Sequence, residues 1–222
     1  TCPIHYWAKE TPEHIAVEAG SVHLSYRTLN RRVASLALQL EREGFVPGDR
    51  LVAPAKGSFK SLLLAWACLR TGVIFCPLNP AFPVAQQLNL AKRLQAGWVC
   101  QTESDHQYSS ELTPVSLDFL AEANAGEPPT LDGNQLCNTI FTSGSSGSPK
   151  AVLHRVGNHL ASARGTASFI PVDQNSGWLL SLPLFHIGGY AIPFRVFLAG
   201  GRVILDDDPQ TLPARLEQQS IT

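Results

Sequence analysis

The chain has 222 residues, 44% of them hydrophobic, and no uninterrupted run of eighteen apolar residues, so nothing in it reads as a membrane-spanning helix. Seventeen basic residues against eighteen acidic give a formal net charge of −1, which leaves no electrostatic footprint for a nucleic acid or an anionic membrane. An ordinary apolar fraction with so small a net charge also excludes intrinsic disorder. Glycine (17) and proline (16) are abundant enough for a loop-rich α/β enzyme and far from a collagen or linker composition.

Two features suggest that more chain belongs to the fold. Charged residues make up 16%, against about 25% in typical soluble domains. Either the composition simply varies, or further chain covers part of this surface. The sequence also begins at Thr1 and contains no methionine, so a native start is expected to lie upstream. The cysteines are Cys2, Cys68, Cys76, Cys100 and Cys137; an odd number without a C-x-x-C pair implies free thiols and a cytoplasmic, reducing location. His154 and His159 are five apart, which does not stack them on one helical face, and no metal site is expected. Residues 1–12 are amphipathic and lack the apolar core of a secretion signal.

In chain order, Ile15-Ala16-Val17-Glu18 and Val22-His23-Leu24 around Gly20-Ser21 predict a hairpin. Ser25 caps a helix running to Gly44, with Leu29, Val33, Leu36 and Leu40 as its apolar stripe. Leu51-Val52-Ala53 reads as a buried strand, and Ser58 to Arg70 as an apolar helix stopped by Gly72. Val73-Ile74-Phe75-Cys76 is a strand ended by Pro77 and Pro80. A helix from Gln86 to Leu94 and a strand Trp98-Val99-Cys100 come next. Residues 101–135 turn polar and read as a surface excursion between a first α/β half (1–100) and a second half (136–222). The second half predicts a strand from Cys137 to Thr142, a helix from His159 to Phe169 and a strand from Trp178 to Leu182. A helix from Tyr190 to Leu198 and a strand from Arg202 to Leu205 close it. Strands alternating with helices imply βαβ units and an α/β fold of mainly parallel sheets flanked by helices.

The most informative stretch is Thr142-Ser143-Gly144-Ser145-Ser146-Gly147-Ser148-Pro149-Lys150. Glycines let backbone N–H groups approach phosphate oxygens, hydroxyls add donors, and the lysine supplies a compact positive charge. The spacing fits neither a Walker A loop nor G-x-G-x-x-G. A flexible Ser/Gly linker is the plain alternative, but a linker seldom sits between two apolar strands or ends in Pro-Lys.

On these residues the stretch resembles the signature phosphate-binding loop of the adenylate-forming superfamily, which takes in acyl-CoA synthetases, luciferases and peptide-synthetase adenylation domains. Residues 24–30 (LSYRTLN), 47–50 (PGDR), 72–80 (GVIFCPLNP) and 182–189 (LPLFHIGG) resemble that superfamily's other landmarks, in the same order. The resemblance spans almost the whole chain and implies the first part of a large N-terminal adenylation domain. The later Tyr-Gly-x-Thr-Glu stretch, the ribose-binding Asp, the hinge and the C-terminal domain with its lysine are not in these residues. Ser146 stands where Thr is frequent, and Ala151 where many members have Gly.

That resemblance implies roles for particular residues. Thr142, Ser143, Gly144, Ser145, Ser146, Gly147 and Lys150 would hold the phosphates of ATP with Mg²⁺, and Lys150 and His186 would be the catalytic side chains. His186, Gly188, Gly189 and Arg195 would line the site of a small carboxylic acid, and coenzyme A would receive the acyl group. No metal ligand is expected from the protein, nor a nucleic-acid partner or a membrane span; a homodimer is left open. The absence of Asp after Phe185-His186-Ile187 argues against an amino-acid substrate. Residues 178–186 (WLLSLPLFH), with Arg195 and Ala199-Gly200, most resemble the o-succinylbenzoate–CoA ligase branch of menaquinone biosynthesis. His186 could also be a packed imidazole at a strand end. Arg195, on an apolar helix, could either snorkel to solvent or face the second carboxylate of the acid. Another aryl or acyl-CoA ligase, or a non-catalytic nucleotide-binding fragment, remain the rival readings.

Overall fold

The structure, a computed structural model, describes residues 1–102, 108, 111–124, 126–128, 130–142 and 149–205. Two sheets organise them. A four-stranded sheet has the order β2-β1-β10-β9, built from β1 (Ile15–Ala19), β2 (Val22–Ser25), β9 (Gly177–Leu179) and β10 (Arg202–Leu205). The β1–β2 hairpin is antiparallel and the other pairings are parallel. A six-stranded sheet has the order β6-β5-β3-β4-β7-β8. Its strands are β3 (Arg50–Pro54), β4 (Ile74–Leu78), β5 (Trp98–Cys100), β6 (Thr113–Val115), β7 (Leu136–Thr142) and β8 (Lys150–Arg155). All its pairings are parallel except the β7–β8 hairpin. The mainly parallel α/β architecture is the one the alternating pattern implies.

The helices are α1 (Pro3–Glu10), α2 (Tyr26–Arg42), α3 (Phe59–Thr71), α4 (Val84–Arg93), α5 (Val156–Ala167) and α6 (Ile187–Ala199). Ser25 and Ser58 cap α2 and α3, each accepting at 3.3 Å from the backbone N–H three residues on. Gly72 ends α3 at φ 75°, a left-handed conformation that a side chain would disfavour. Helices α2, α3 and α6 fill the space between the sheets. There Trp66 lies 5.0 and 5.4 Å from the rings of Phe194 and Phe197, and Tyr26 Oη donates to the Gly201 carbonyl at 2.6 Å. A second core, with Val52, Ile74, Cys76, Leu90 and Val99, lies on the other face of the six-stranded sheet. Because successive residues of β4 point to opposite faces, Phe75 joins the first core while its neighbours join the second.

The structure departs from the sequence expectation in several places. β4 continues through Pro77 to Leu78: it stays paired with β3, while its ladder to β7 forms at Phe75↔Asn138 and does not reach the proline. The 101–135 segment is not wholly peripheral, since β6 adds to the sheet edge and Leu112, Val115 and Phe119 are buried. The sequence reading implies a strand after the Ser/Gly stretch but gives β8 no bounds. Its residues are mostly exposed, so no period-two burial pattern marks it, and it forms by pairing with β7. α5 begins three residues earlier than His159 because Asn158 Oδ1 accepts the Arg155 N–H at 2.8 Å and closes the first turn. The strand expected over 178–182 ends at Leu179, and Ser181 N–H turns back onto the Leu179 carbonyl at 2.9 Å.

Candidate functional site

β4 and β7 are parallel neighbours, and ligands of parallel α/β sheets bind beyond the carboxyl ends of such strands. At that edge lies a cavity of about 420 Å³. Its walls include Leu78 at the end of β4, Asn79 and Phe82 after it, Ile140, Phe141 and Thr142 at the end of β7, Pro149 before β8, and Phe185, His186 and Ile187 at the start of α6. Asn79 shapes the turn after β4: its Oδ1 accepts the Ala81 N–H at 2.9 Å and its carbonyl accepts the Phe82 N–H at 3.1 Å.

Thr142 and Lys150 form the cross-strand pair that ends the β7–β8 hairpin, with Thr142 Oγ1 donating to the Lys150 carbonyl at 3.4 Å. Both are exposed. Ser143, Gly144, Ser145, Ser146 and Gly147 lie outside the described residues; the structure gives the two ends of that segment. One end is tied down by Arg93, the last residue of α4. Its Nη2 donates to the Pro149 carbonyl at 2.6 Å and its guanidinium lies 5.9 Å from the Phe141 ring centroid. Nothing in the sequence singles out Arg93 beyond its place in a last helical turn, where cations are favoured.

His186 precedes α6 in extended backbone and makes no side-chain capping bond. Its N–H donates to the Pro183 carbonyl at 3.0 Å and its carbonyl accepts from the Tyr190 N–H at 2.9 Å, so the main chain is fixed on both sides. The ring is exposed and lines the cavity, 4.6 Å from the Phe185 ring, which sets aside the packed-imidazole reading. The structure therefore brings Thr142 and His186 to one cavity, with Lys150 directly after a wall residue.

Gly188 and Gly189 are not among the residues that line that cavity. α6 starts at Ile187, and its first turn packs on residues 182–183 so closely that a Cβ on Gly189 would collide with the carbonyl oxygens of Leu182 and Pro183. A Cβ on Gly188 would meet Leu182 Cδ1 at 2.9 Å. These glycines seat the helix that carries His186.

Arg195 is also placed apart. It shares one stripe of α6 with Ile187, with the buried Ala191 between them, and lines a second cavity of about 160 Å³ with Ala163, Arg164, Ala167, Val172 and Leu198. Its guanidinium lies 5.8 Å from the Trp178 ring centroid, and its Nε is buried without a hydrogen-bond partner among the described residues. It is half-buried, not snorkelled into solvent.

His159 and Asn138 were not sequence candidates for this site. Asn138, fully buried on β7, accepts through Oδ1 from His159 Nε2 at 2.8 Å. Burial, with His154 a lesser influence, holds the His159 imidazole down at a pKa of about 4. Among the described residues no helix is long and apolar enough to cross a membrane, and no three His, Cys, Asp or Glu gather as a metal-holding group.

Residues 4–222 match the AMP-binding enzyme family. Over 205 residues the chain is 33% identical to the 2-succinylbenzoate–CoA ligase of Escherichia coli (strain K12), covering 92% of this chain and 45% of that protein. It is 29% identical over 229 residues to the feruloyl-CoA synthase of Amycolatopsis sp., covering 97% of this chain and 46% of that protein. Among solved structures it is similar to an Arg-to-Lys variant of E. coli MenE with bound OSB-AMS: TM-score 0.84, 30% identity, 95% of this chain and 46% of that one. It shares its fold with Bacillus subtilis MenE in complex with ATP and magnesium ion, with a TM-score of 0.86 at 24% identity, covering 99% of this chain and 61% of that one. The chain spans about half the length of the curated relatives it matches.

Proposed function

Because the chain belongs to the AMP-binding enzyme family, we propose that it forms part of an enzyme that activates o-succinylbenzoate with ATP and transfers the acyl group to coenzyme A. The observation that carries the site is the cavity at the ends of β4 and β7, which meets the base of the Ser/Gly segment on one side and His186 on the other. The similarity to the E. coli 2-succinylbenzoate–CoA ligase supports the choice of acid.

In this reading a carboxylate oxygen of the acid attacks the α-phosphorus of ATP, the bond to the β-phosphate breaks, and pyrophosphate leaves. The thiolate of coenzyme A then attacks the acyl carbon and AMP departs. Bound with the nucleotide, Mg²⁺ would neutralise phosphate charge. Lys150 and the hydroxyls of residues 142–146 hold the leaving phosphates, and His186 orients the carboxylate for attack. Catalysis of the first step is then mainly positioning and charge stabilisation. The spectator carboxylate of o-succinylbenzoate needs a cation if it leaves water, and Arg195 Nε offers an unsatisfied donor at the far end of the same helical stripe.

The test is a pyrophosphate-release assay on the full-length protein with ATP, Mg²⁺, coenzyme A and a panel of acids. Turnover with o-succinylbenzoate well above monocarboxylic aryl acids is expected. The similarity to feruloyl-CoA synthase favours a second reading, an aryl-CoA ligase, which preference for a hydroxycinnamic acid would establish. The 222 residues alone are expected to release no pyrophosphate above background; release by the purified chain would show that they suffice.

A further inference from the structure

Beside the candidate site lies a cluster that the proposed chemistry does not use. His159, on the first turn of α5 and 2% exposed, bonds sideways to Asn138 of β7. An amide oxygen can only accept, so His159 Nε2 carries the proton of that bond. The same imidazole lies against α6, its centroid 4.8 Å from that of Phe194 with the planes 20° apart, and 5.0 Å from that of Tyr190. Asn138 Nδ2 is buried and has no partner among the described residues, so the His159 bond is the contact that fixes the amide from outside its own strand.

The two elements joined in this way are the two that make the site. Four residues beyond Asn138, β7 ends at Thr142, a wall of the cavity. Four residues before Tyr190 stands His186, whose carbonyl accepts the Tyr190 N–H at 2.9 Å. α5 and α6 pack side by side, while β7 and α6 belong to different layers, so their spacing depends on what fills the gap. A simple core residue would fill it with an apolar side chain. Here a polar ring is buried instead, with one edge hydrogen-bonded to the strand and its face on the helix. That combination fixes distance and rotation together, which dispersion contacts alone do not.

We infer that His159 is a positioning residue: by holding Asn138 on β7, stacking on Phe194 and lying tilted against Tyr190 of α6, it sets where His186 stands relative to the end of β7. This rests on the proposed adenylating role of that site. The separation matters because a misplacement of about 1 Å between reacting groups can cost on the order of 10²-fold in rate.

The experiment uses the full-length protein with His159→Phe, which keeps ring volume and loses the donor, and His159→Gln, which keeps a donor and loses the ring. Hydrogen exchange and acyl-adenylate formation are both measured at neutral pH, with melting temperature as the check on folding. The expected result for His159→Phe is faster exchange in the first turn of α6, with exchange in α2 unchanged. Its kcat should fall on the order of 10²-fold, with KM for ATP and for the acid nearly unchanged; His159→Gln should recover part of the loss. Folded variants with parental exchange in α6 overturn the inference, whatever their activity. A uniform rise in exchange across α2 and α6 with no kcat change also overturns it, since that is plain loss of stability. If the parent adenylates no acid, the proposed function fails by itself, and the exchange data alone then decide the role of His159. Should either variant not fold, Asn138→Ser breaks the same bond from the strand side and is read by the same two measurements.

Discussion

Between the sheets, Trp66 of α3 sits 2% exposed against Phe194 and Phe197 of α6; at the edge of the six-stranded sheet, Thr142, Lys150 and His186 are all exposed. The two regions share α6. Its buried face supplies aromatic rings to the first region, and its N-terminal end supplies a wall to the second. The interior gains from excluding water, whereas the cavity edge must leave polar groups able to meet a ligand. Substitutions in the first region should therefore act on stability, and those in the second on turnover.

The largest departure from this division would come from the interior. Trp66→Ala is expected to cost about 3–5 kcal/mol of unfolding free energy, the usual cost of emptying a buried aromatic site. Denaturant titration measures it. Since Phe194 and Phe197 lose their partner, the same variant should raise hydrogen exchange along α6. A loss below about 1 kcal/mol, under that range, would mean the inter-sheet core is not what holds α6.

Arg195 sharpens the comparison because it belongs fully to neither region. If it meets the spectator carboxylate, Arg195→Ala should weaken o-succinylbenzoate by about 2–5 kcal/mol, as when one partner of a buried charge pair is truncated. Apparent affinity for ATP should hardly move, and a monocarboxylic aryl acid should be spared. Equal losses for both acids would assign Arg195 to structure through its contact with Trp178.

Lys150→Ala tests the edge. Loss of one preorganised donor typically lowers turnover on the order of 10²–10³-fold. Lys150 is exposed at the start of β8, so stability should change by no more than about 0.5 kcal/mol. Pyrophosphate release within about threefold of the parent, far less than a donor of this kind normally contributes, would transfer the phosphate-holding role to the hydroxyls and amides of residues 142–147.

The same contrast explains what the sequence could tell. Helices α2 and α3 were legible because their signals are local: Ser25 and Ser58 at one end, Gly44 and Gly72 at the other, apolar spacing between. The bounds of β8 were not, because its residues face solvent and its existence depends on β7. His186 was singled out only through resemblance, and the structure places it on the cavity wall. Gly188 and Gly189 pack closely on residues 182–183, and a glycine needed for a close backbone approach looks identical in sequence to one needed for a ligand. The bond between His159 and Asn138 spans two elements, and no spacing rule reports it.

The smallest expected effect is spread over a range of pH. His159 is neutral in the folded protein, its pKa held near 4 by burial, while an unfolded histidine titrates near 6.5. Between these values the unfolded chain binds the extra proton, so unfolding free energy rises with pH from about 4 to 6.5 and the His159 contribution is flat outside that window. At full extent it amounts to about 3 kcal/mol. The groups facing the ring do not supply a competing change: Tyr190 on α6 and Cys137 on β7 are pushed up by burial, the thiol to about 12, and stay neutral throughout. His154 on β8, 5.4 Å away, is itself lowered by burial and adds a slope of the same sign, as does His5 at α1. Melting temperature measured from pH 4 to pH 7 should therefore climb in the parent and climb less steeply in His159→Gln. Identical slopes would mean that the His159 imidazole is as easily protonated folded as unfolded, and would remove it from the rigid interior to which its 2% exposure assigns it.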